Sequence, residues 1–146
     1  MEATIRSFLE RARRAHLATA SRAGEPHVVP ICFAVLGDDA LVFAIDDKPK
    51  DRTRPLKRLR NLAENERFAL VVDVWDEDWT KLAYVLVHGS GGPLPAGERR
   101  VRAVAALRAR YPQYVAMGLD ERAEVIELRV QRTHLWGAVA RVDGSR

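Results

Sequence analysis

Cysteine is nearly absent from this chain. Cys32 is the single one in 146 residues, which excludes an internal disulfide and fits a reducing cytosolic setting. No apolar run approaches the ~20 residues that a membrane-spanning helix needs. The N-terminus mixes apolar residues with Arg6, Glu10, Arg11, Arg13 and Arg14, where a signal peptide would have an apolar core. The expectation is a soluble, unprocessed, cytoplasmic protein that makes no use of a membrane. Internal repeats, low-complexity segments and linkers are missing as well. With 47% hydrophobic and 30% charged residues, residues 1–146 read as one ordinary globular domain.

A resident catalytic apparatus is the next absence. His16, His27, His88, His134 and Cys32 are scattered through strand-like sequence at no recognised ligand spacing, so a metal site is not expected. Cys32 lies within Pro30-Ile31-Cys32-Phe33 with no adjacent base, which reads as packing or as the lining of a ligand groove, not as a nucleophile. The carboxylates Asp73, Asp76, Glu77 and Asp78 form a solvated loop, orient Trp79, or bridge to the basic helix of a second subunit. Trp75, Trp79 and Trp136 are either core residues or flat surfaces for a planar ring. No acid, base and nucleophile come together. That pattern suits a protein whose bound cofactor carries the reaction and which itself supplies binding, orientation and electrostatics.

What the sequence does have is a basic stretch. Between Asp46 and Leu62 lie the cations Lys48, Lys50, Arg52, Arg54, Lys57, Arg58 and Arg60 and the anions Asp46, Asp47 and Asp51. Their balance of +4 equals the net charge of the whole chain. A charge so localised, in a chain with a pI near 9.6, suggests a small anionic ligand more than a long polyanion. Pro49 and Pro55 make the first part extended or turn-like. Asp51 or Thr53 is then expected to cap a helix with Pro55 in its first turn. At 100° per residue Leu56, Leu59, Leu62 and Ala63 share one side of that helix, and Arg54, Lys57, Arg58 and Asn61 the other. Cations in a helix's first turn oppose its dipole, so the stretch is either an anion site, most simply for a phosphate, or a solvated basic helix.

Around this stretch the pattern is mainly β. A helix is expected over residues 3–15, with Ile5, Phe8, Leu9 and Ala12 inward. His16 to Ala20 is a short strand, and Ser21 to Pro26 a turn. His27 to Leu36 is nearly continuous apolar sequence, as in a strand covered on both faces. Gly37-Asp38-Asp39 turns it into a hairpin with Ala40 to Ile45. Arg67 to Trp75 and Leu82 to Gly89 form a second pair, with Asp76 to Trp79 at its tip. Gly91-Gly92-Pro93-Leu94-Pro95 is expected to break the sheet. A helix over Ala96 to Tyr111 should turn Val101, Val104, Ala105 and Leu107 inward. Two closing strands, Ala123 to Val130 and Thr133 to Val139, complete an antiparallel barrel with flanking helices.

Pro26 before the long apolar strand, Asp47-Lys48-Pro49-Lys50, Leu56-Lys57-Arg58-Leu59-Arg60-Asn61-Leu62, the strand Val72 to Trp79 and the closing Thr133-His134-Leu135-Trp136-Gly137 carry a resemblance. From about Ile5 to Val139 the chain resembles the pyridoxamine 5'-phosphate oxidase-like flavin and deazaflavin oxidoreductases, and within them the small branch assigned to coenzyme F420. The resemblance implies an α+β, mainly β, FMN-binding split β-barrel that works as a homodimer with cofactor at the subunit interface. It implies that Lys57 and Arg58 grip the phosphate, with Lys48 and Lys50 in the loop leading to them. It also implies that Pro30 and Cys32 belong to the wall beside the ring system, and that Trp79 and Trp136 come from the second subunit. The Arg-x-x-Leu-Leu-Lys signature and the C-terminal substrate segment of true pyridoxamine phosphate oxidases are missing, which points away from vitamin-B6 oxidation.

Seven cations within thirteen residues exceed what the single phosphate of FMN needs. They suit the phosphodiester and polyglutamate tail of the deazaflavin. The expected function is thus an F420-dependent oxidoreductase moving a hydride between cofactor and a small-molecule substrate. An FMN-dependent oxidase or reductase is the alternative in the same class. From another class stands a non-catalytic barrel that binds a cofactor or nucleic acid.

Overall fold

Alternation of small and apolar residues along Ala15 to Ala20, and again along Arg67 to Val74, allows each of these strands one buried face. The computed structural model describes residues 1–45 and 56–138. Its elements are α1 (Ala3–Arg11), β1 (Ala15–Ala20), β2 (Pro26–Ile31), β3 (Ala34–Leu36), β4 (Ala40–Ala44), α2 (Lys57–Glu64), β5 (Arg67–Val74), β6 (Ala83–Pro93), α3 (Glu98–Arg110), α4 (Gln113–Ala116) and β7 (Val125–Gly137). Seven strands form one sheet in the order β2-β1-β5-β6-β7-β4-β3, and every neighbouring pair is antiparallel. The two edge strands, β2 and β3, are consecutive in the chain and joined only by Cys32 and Phe33. Their closeness forces the sheet to curl, so the antiparallel split barrel expected from the sequence is what forms. No helix among the described residues is long and apolar enough to cross a membrane.

Two apolar clusters share this sheet. Inside the curl lie Leu17, Phe33, Leu41, Phe43, Leu70, Val85, Val87, Ile126 and Leu128, capped by Ile5, Phe8 and Leu9 of α1. On the other side of β3 and β4, residues Leu36, Val42 and Ala44 pack against Ala103, Val104, Leu107, Tyr111 and Tyr114. The strand covered on both faces is therefore β4, all five of whose residues are buried. β2, expected to be so covered, is an edge strand with Val28 64% exposed. The difference follows from α3, which lies over β3 and β4 and leaves β2 bare.

Other expectations are corrected in detail. α1 stops at Arg11 with Ala12 already extended. Its terminal carbonyls on Leu9 and Glu10 accept from the Arg110 guanidinium, which acts as a side-chain cap. In α3 the inward residues are Ala103, Val104 and Leu107, while Val101 is 50% exposed and Ala105 is exposed too. Gly91 to Pro93 do not end β6, which pairs with β7 through Pro93. At Gly91 a Cβ would stand 2.7 Å from Leu128 Cδ2, so this glycine serves close approach. The closing segment is one strand, because a bulge between His88 and Gly89 absorbs Gln131 without interrupting the ladder. At that bulge a Cβ on Gly89 would lie 1.7 Å from the Arg129 carbonyl oxygen, which only glycine avoids.

Where β2 passes into β3 the ladder is interrupted, and one hydroxyl satisfies the exposed backbone. Tyr111 Oη accepts from the Phe33 N–H at 3.1 Å and from Arg110 Nε at 3.3 Å, and its proton is shared between the carbonyls of Arg13 and Phe33 at 3.0 and 3.1 Å. Tyr111→Phe should leave the Phe33 amide unpaired in a buried site and cost about 1–3 kcal/mol. In urea unfolding the midpoint should fall with the slope unchanged.

A second buried polar centre lies on β7. The Glu127 carboxylate, 5% exposed, accepts from Arg99 of α3 and from Arg129. Burial pushes its carboxyl up, but the two guanidinium groups outweigh burial and hold it below its ordinary value of 4.5. With the folded value lower than the unfolded one, the stabilisation is present above pH 4.5 and is lost as pH falls through the folded value. Melting temperatures of the wild type and Glu127→Gln should therefore differ most at neutral pH and converge on acidification.

Candidate functional site

The basic segment reaches the described structure at α2. Lys48 and Lys50 lie outside the described residues, as do Asp51, Thr53 and Pro55, so the expected cap and first turn cannot be placed there. The described helix begins at Lys57, with Leu56 extended at the N-cap position. That N-cap has no side-chain hydrogen bond, and no acid sits in the first turn. First-turn backbone N–H groups with no side-chain cap among the described residues, the positive end of the helix dipole and two cations, Lys57 and Arg58, thus coincide at one point. Arg58 is half-buried, and its Nε is a buried donor without a partner among the described residues. A buried guanidinium N–H left unpaired is costly, and an incoming anion would pair it.

The helix is held to the barrel by polar contacts that helical periodicity did not indicate. Asn61, placed by its spacing on the outer side, is 1% exposed, and its Nδ2 donates to Thr19 Oγ1 of β1 at 3.1 Å. Glu64 accepts from the backbone N–H of Arg22 at 2.9 Å. Leu62 is buried as expected, whereas Ala63 is exposed. α2 is thus clamped to the hairpin of β1 and β2 near Thr19 and Arg22. Asn61 Oδ1 is buried without a partner among the described residues, one helical turn from Arg58. The one available signal was a neutral polar side chain, three residues from Arg58, in a helix whose other residues are apolar or charged.

The wall residues lie further along the same hairpin. Pro30 pairs with His16, and His27 with Thr19, so Pro30 stands about 10 Å along the strand from the level of the clamp, at roughly 3.3 Å per residue. Pro30 and Cys32 are exposed. Cys32, in the short connector at the split, is accessible from solvent and is not core packing.

Trp79 and Trp136 are at the other end of the sheet. Trp136 pairs with Tyr84, and their rings stack at 5.6 Å. Gly91, which approaches Leu62 of α2, lies seven residues further along β6, about 23 Å away. Within one chain the structure does not bring the tryptophans to Lys57 and Arg58. All three tryptophans are exposed, Trp75 at 65%, Trp79 at 72% and Trp136 at 48%, so none is core. The acidic tip organises itself around Trp79. Asp78 Oδ1 caps the short turn Trp79–Lys81 by accepting from the Thr80 N–H and hydroxyl. Those bonds, the hydroxyl's first, hold the Asp78 carboxyl below its ordinary range. Glu77 accepts from the Trp75 indole at 3.3 Å.

The outer face of the sheet completes this geometry. Cross-strand rows run His16, Val71, Leu86, His134 and Ala18, Ala69, His88, Arg132. His88 is held below its ordinary value by burial, with Arg132 and Arg67 adding to the effect, so it is neutral at physiological pH. Among the described residues no three His, Cys, Asp or Glu side chains gather as a metal site.

Comparison with known proteins agrees with this fold. In solved structures the same fold recurs in a conserved hypothetical protein of Mycobacterium tuberculosis, with a TM-score of 0.75 and 21% identity over 100% of this chain and 89% of that one. It recurs in a heme-binding protein of Mycobacterium smegmatis, with a TM-score of 0.73 and 23% identity over 92% of this chain and 53% of that one. An FAD-binding protein of Mesorhizobium loti has a TM-score of 0.67 and 20% identity over 92% of each chain. In sequence, the chain is 37% identical over 87 residues to the 5a,11a-dehydrotetracycline/5a,11a-dehydrooxytetracycline reductase of Streptomyces rimosus. That match spans 59% of this chain and 58% of the reductase. The family model described as pyridoxamine 5'-phosphate oxidase matches residues 1–137, and the chain therefore belongs to that family.

Proposed function

We propose that this chain is an F420-dependent oxidoreductase acting on a small organic electrophile. The observation that carries the reading is the first turn of α2. There Lys57 and Arg58 meet, the Arg58 Nε is buried without a partner among the described residues, and the first described turn carries no acid. These groups suit a phosphate. The additional cations between Lys48 and Arg54 suit the longer anionic tail of the deazaflavin better than the single phosphate of FMN. Membership of the family and the partial likeness to a reductase support redox chemistry. FMN in the same groove is the alternative, favoured by the FAD-binding protein of the same fold.

When bound, such a cofactor supplies a hydride at its ring. The chain's own residues bind and orient: Lys57 and Arg58 hold the anionic end, with Lys48 and Lys50 preceding them, and Pro30 and Cys32 wall the ring. In this reading the chain is a cytoplasmic homodimer in which Trp79 and Trp136 of one copy approach α2 of the other. Their exposure and their distance from α2 within one chain support that, as does the bare outer face carrying Val28 and Trp136. The substrate class follows the reductase of partial likeness, an unsaturated polycyclic compound.

Three measurements test the reading. The colourless apoprotein, titrated separately with F420 and with FMN while cofactor fluorescence is followed, should bind F420 at least tenfold more tightly, about 1.4 kcal/mol. Tighter FMN binding would move it to the flavin alternative. Saturation at one ligand per subunit separates both from nucleic-acid binding, whose affinity would fall about one decade per decade of salt for each phosphate neutralised. Lys57→Ala/Arg58→Ala should weaken cofactor binding by about 2–4 kcal/mol; an unchanged dissociation constant would overturn the site. Light scattering should give twice the 16.4 kDa of one chain.

A further inference from the structure

The end of α1 carries a second concentration of positive charge that the reading above does not use. Between α1 and the C-terminal end of β5 the chain leaves a cavity of about 420 Å³, within the size range of small-molecule sites. Its floor is apolar. Phe8 and Val72 are 3% and 2% exposed, and Val74, at 46%, forms one wall. Its rim is cationic: Arg11, Arg13 and Arg14 all line it, against the single carboxylate of Asp73. Three positive groups less one negative leave +2 at the rim.

The fold accounts for two of these arginines. Arg11 sits in the last turn of α1, where the helix dipole favours a cation, and its Nη1 donates to Ser7 Oγ at 2.5 Å. Arg13 donates to the Arg110 carbonyl at 3.0 Å and lies over the Tyr111 ring, its Cζ 4.9 Å from the centroid. Arg14 has no hydrogen bond or ion pair among the described residues, and none of the three guanidinium groups is paired with a carboxylate. Three like charges held around an apolar floor repel one another. Arg13 is fixed by its backbone bond and ring contact and Arg11 by Ser7, while Arg14 is exposed and free to meet a ligand, and none of the three is paired with Asp73 at the rim.

We propose that this cavity binds an amphipathic organic anion, an apolar ring body of two or three fused rings bearing a carboxylate, sulfonate or phosphate. The ring body would lie on Phe8, Val72 and Val74. The acid group would meet Arg14 at the rim, with Arg11 and Arg13 adding field, and Asp73 can accept from a hydroxyl on the ligand. The cavity adjoins the start of β1, where Ala15 pairs with Ile31, at the opposite end of that strand from the Thr19 contact with α2. The proposal stands whether or not α2 holds a deazaflavin.

The test uses the full chain and two dyes of one shape. 8-Anilinonaphthalene-1-sulfonate carries the charge, and N-phenyl-1-naphthylamine lacks it. The sulfonate should bind saturably at one per chain with enhanced fluorescence, and Arg14→Glu should weaken it at least tenfold while leaving the uncharged dye within twofold. Ala12→Trp, which fills the cavity from a half-exposed position, should weaken both dyes. Lys57→Ala/Arg58→Ala should change neither. Circular dichroism and melting temperature confirm that each variant is folded. Absence of saturable binding, sulfonate affinity unaffected by Arg14→Glu, or binding that survives Ala12→Trp would overturn the proposal. So would loss of sulfonate binding on changing Lys57 and Arg58, because the dye would then sit at α2.

Discussion

Two residues, Cys32 and Phe33, separate the two edges of a seven-stranded sheet, and that short tether is the constraint on which the rest of the molecule depends. Edges so close in sequence must lie close in space, so the sheet curls and encloses a core. The curl does not close into a full ladder at this point. Backbone groups of Phe33 that would otherwise pair across strands are met by the Tyr111 hydroxyl. The neighbouring Arg110 reaches the last carbonyls of α1. The end of α3 therefore joins the opening of the barrel to the helix that caps it, and buried backbone polarity is satisfied without further strands.

Charge is arranged with the same economy. Among the described residues Glu127 is the buried carboxylate, and it is neutralised by arginines from α3 and β7. Among the other described cations, Lys57 and Arg58 meet in the first turn of α2, and Arg11, Arg13 and Arg14 at the rim of the cavity below α1. At α2 helix physics and side-chain chemistry act together, since the positive end of the dipole and two cations meet in a described first turn that holds no anionic side chain. Its orientation is fixed by a neutral polar pair, Asn61 with Thr19, buried at the barrel's end. A neutral pair avoids the desolvation cost that a buried ion pair would carry.

Much of the strand pattern was legible because alternation and turn chemistry are local properties. The hairpin across Gly37-Asp38-Asp39 and the pairing of Arg67 to Trp75 with Leu82 to Gly89 follow from residues adjacent in sequence. Errors arose where a distant element decides. β2 reads as doubly covered from its apolar composition, yet α3 covers β4 instead. Gly91 and Gly92 read as a break because the other use of Gly91, close approach of Leu62 and Leu128, is invisible along the chain. Gln131 reads as a strand boundary because a bulge depends on the partner strand.

The sequence by itself determined the antiparallel mainly β character, the helices at the ends and the crossing, and the concentration of positive charge before and within α2. All of these are set by spacing and composition within about fifteen residues. Only the tertiary structure decided which faces are bare, that Asn61 turns inward to Thr19, that the tryptophans stand far from α2 within one chain, and that Arg11, Arg13 and Arg14 ring an apolar cavity. Those depend on curvature and on which strand lies beside which, and they are fixed by contacts between residues tens of positions apart, where side-chain periodicity carries no information.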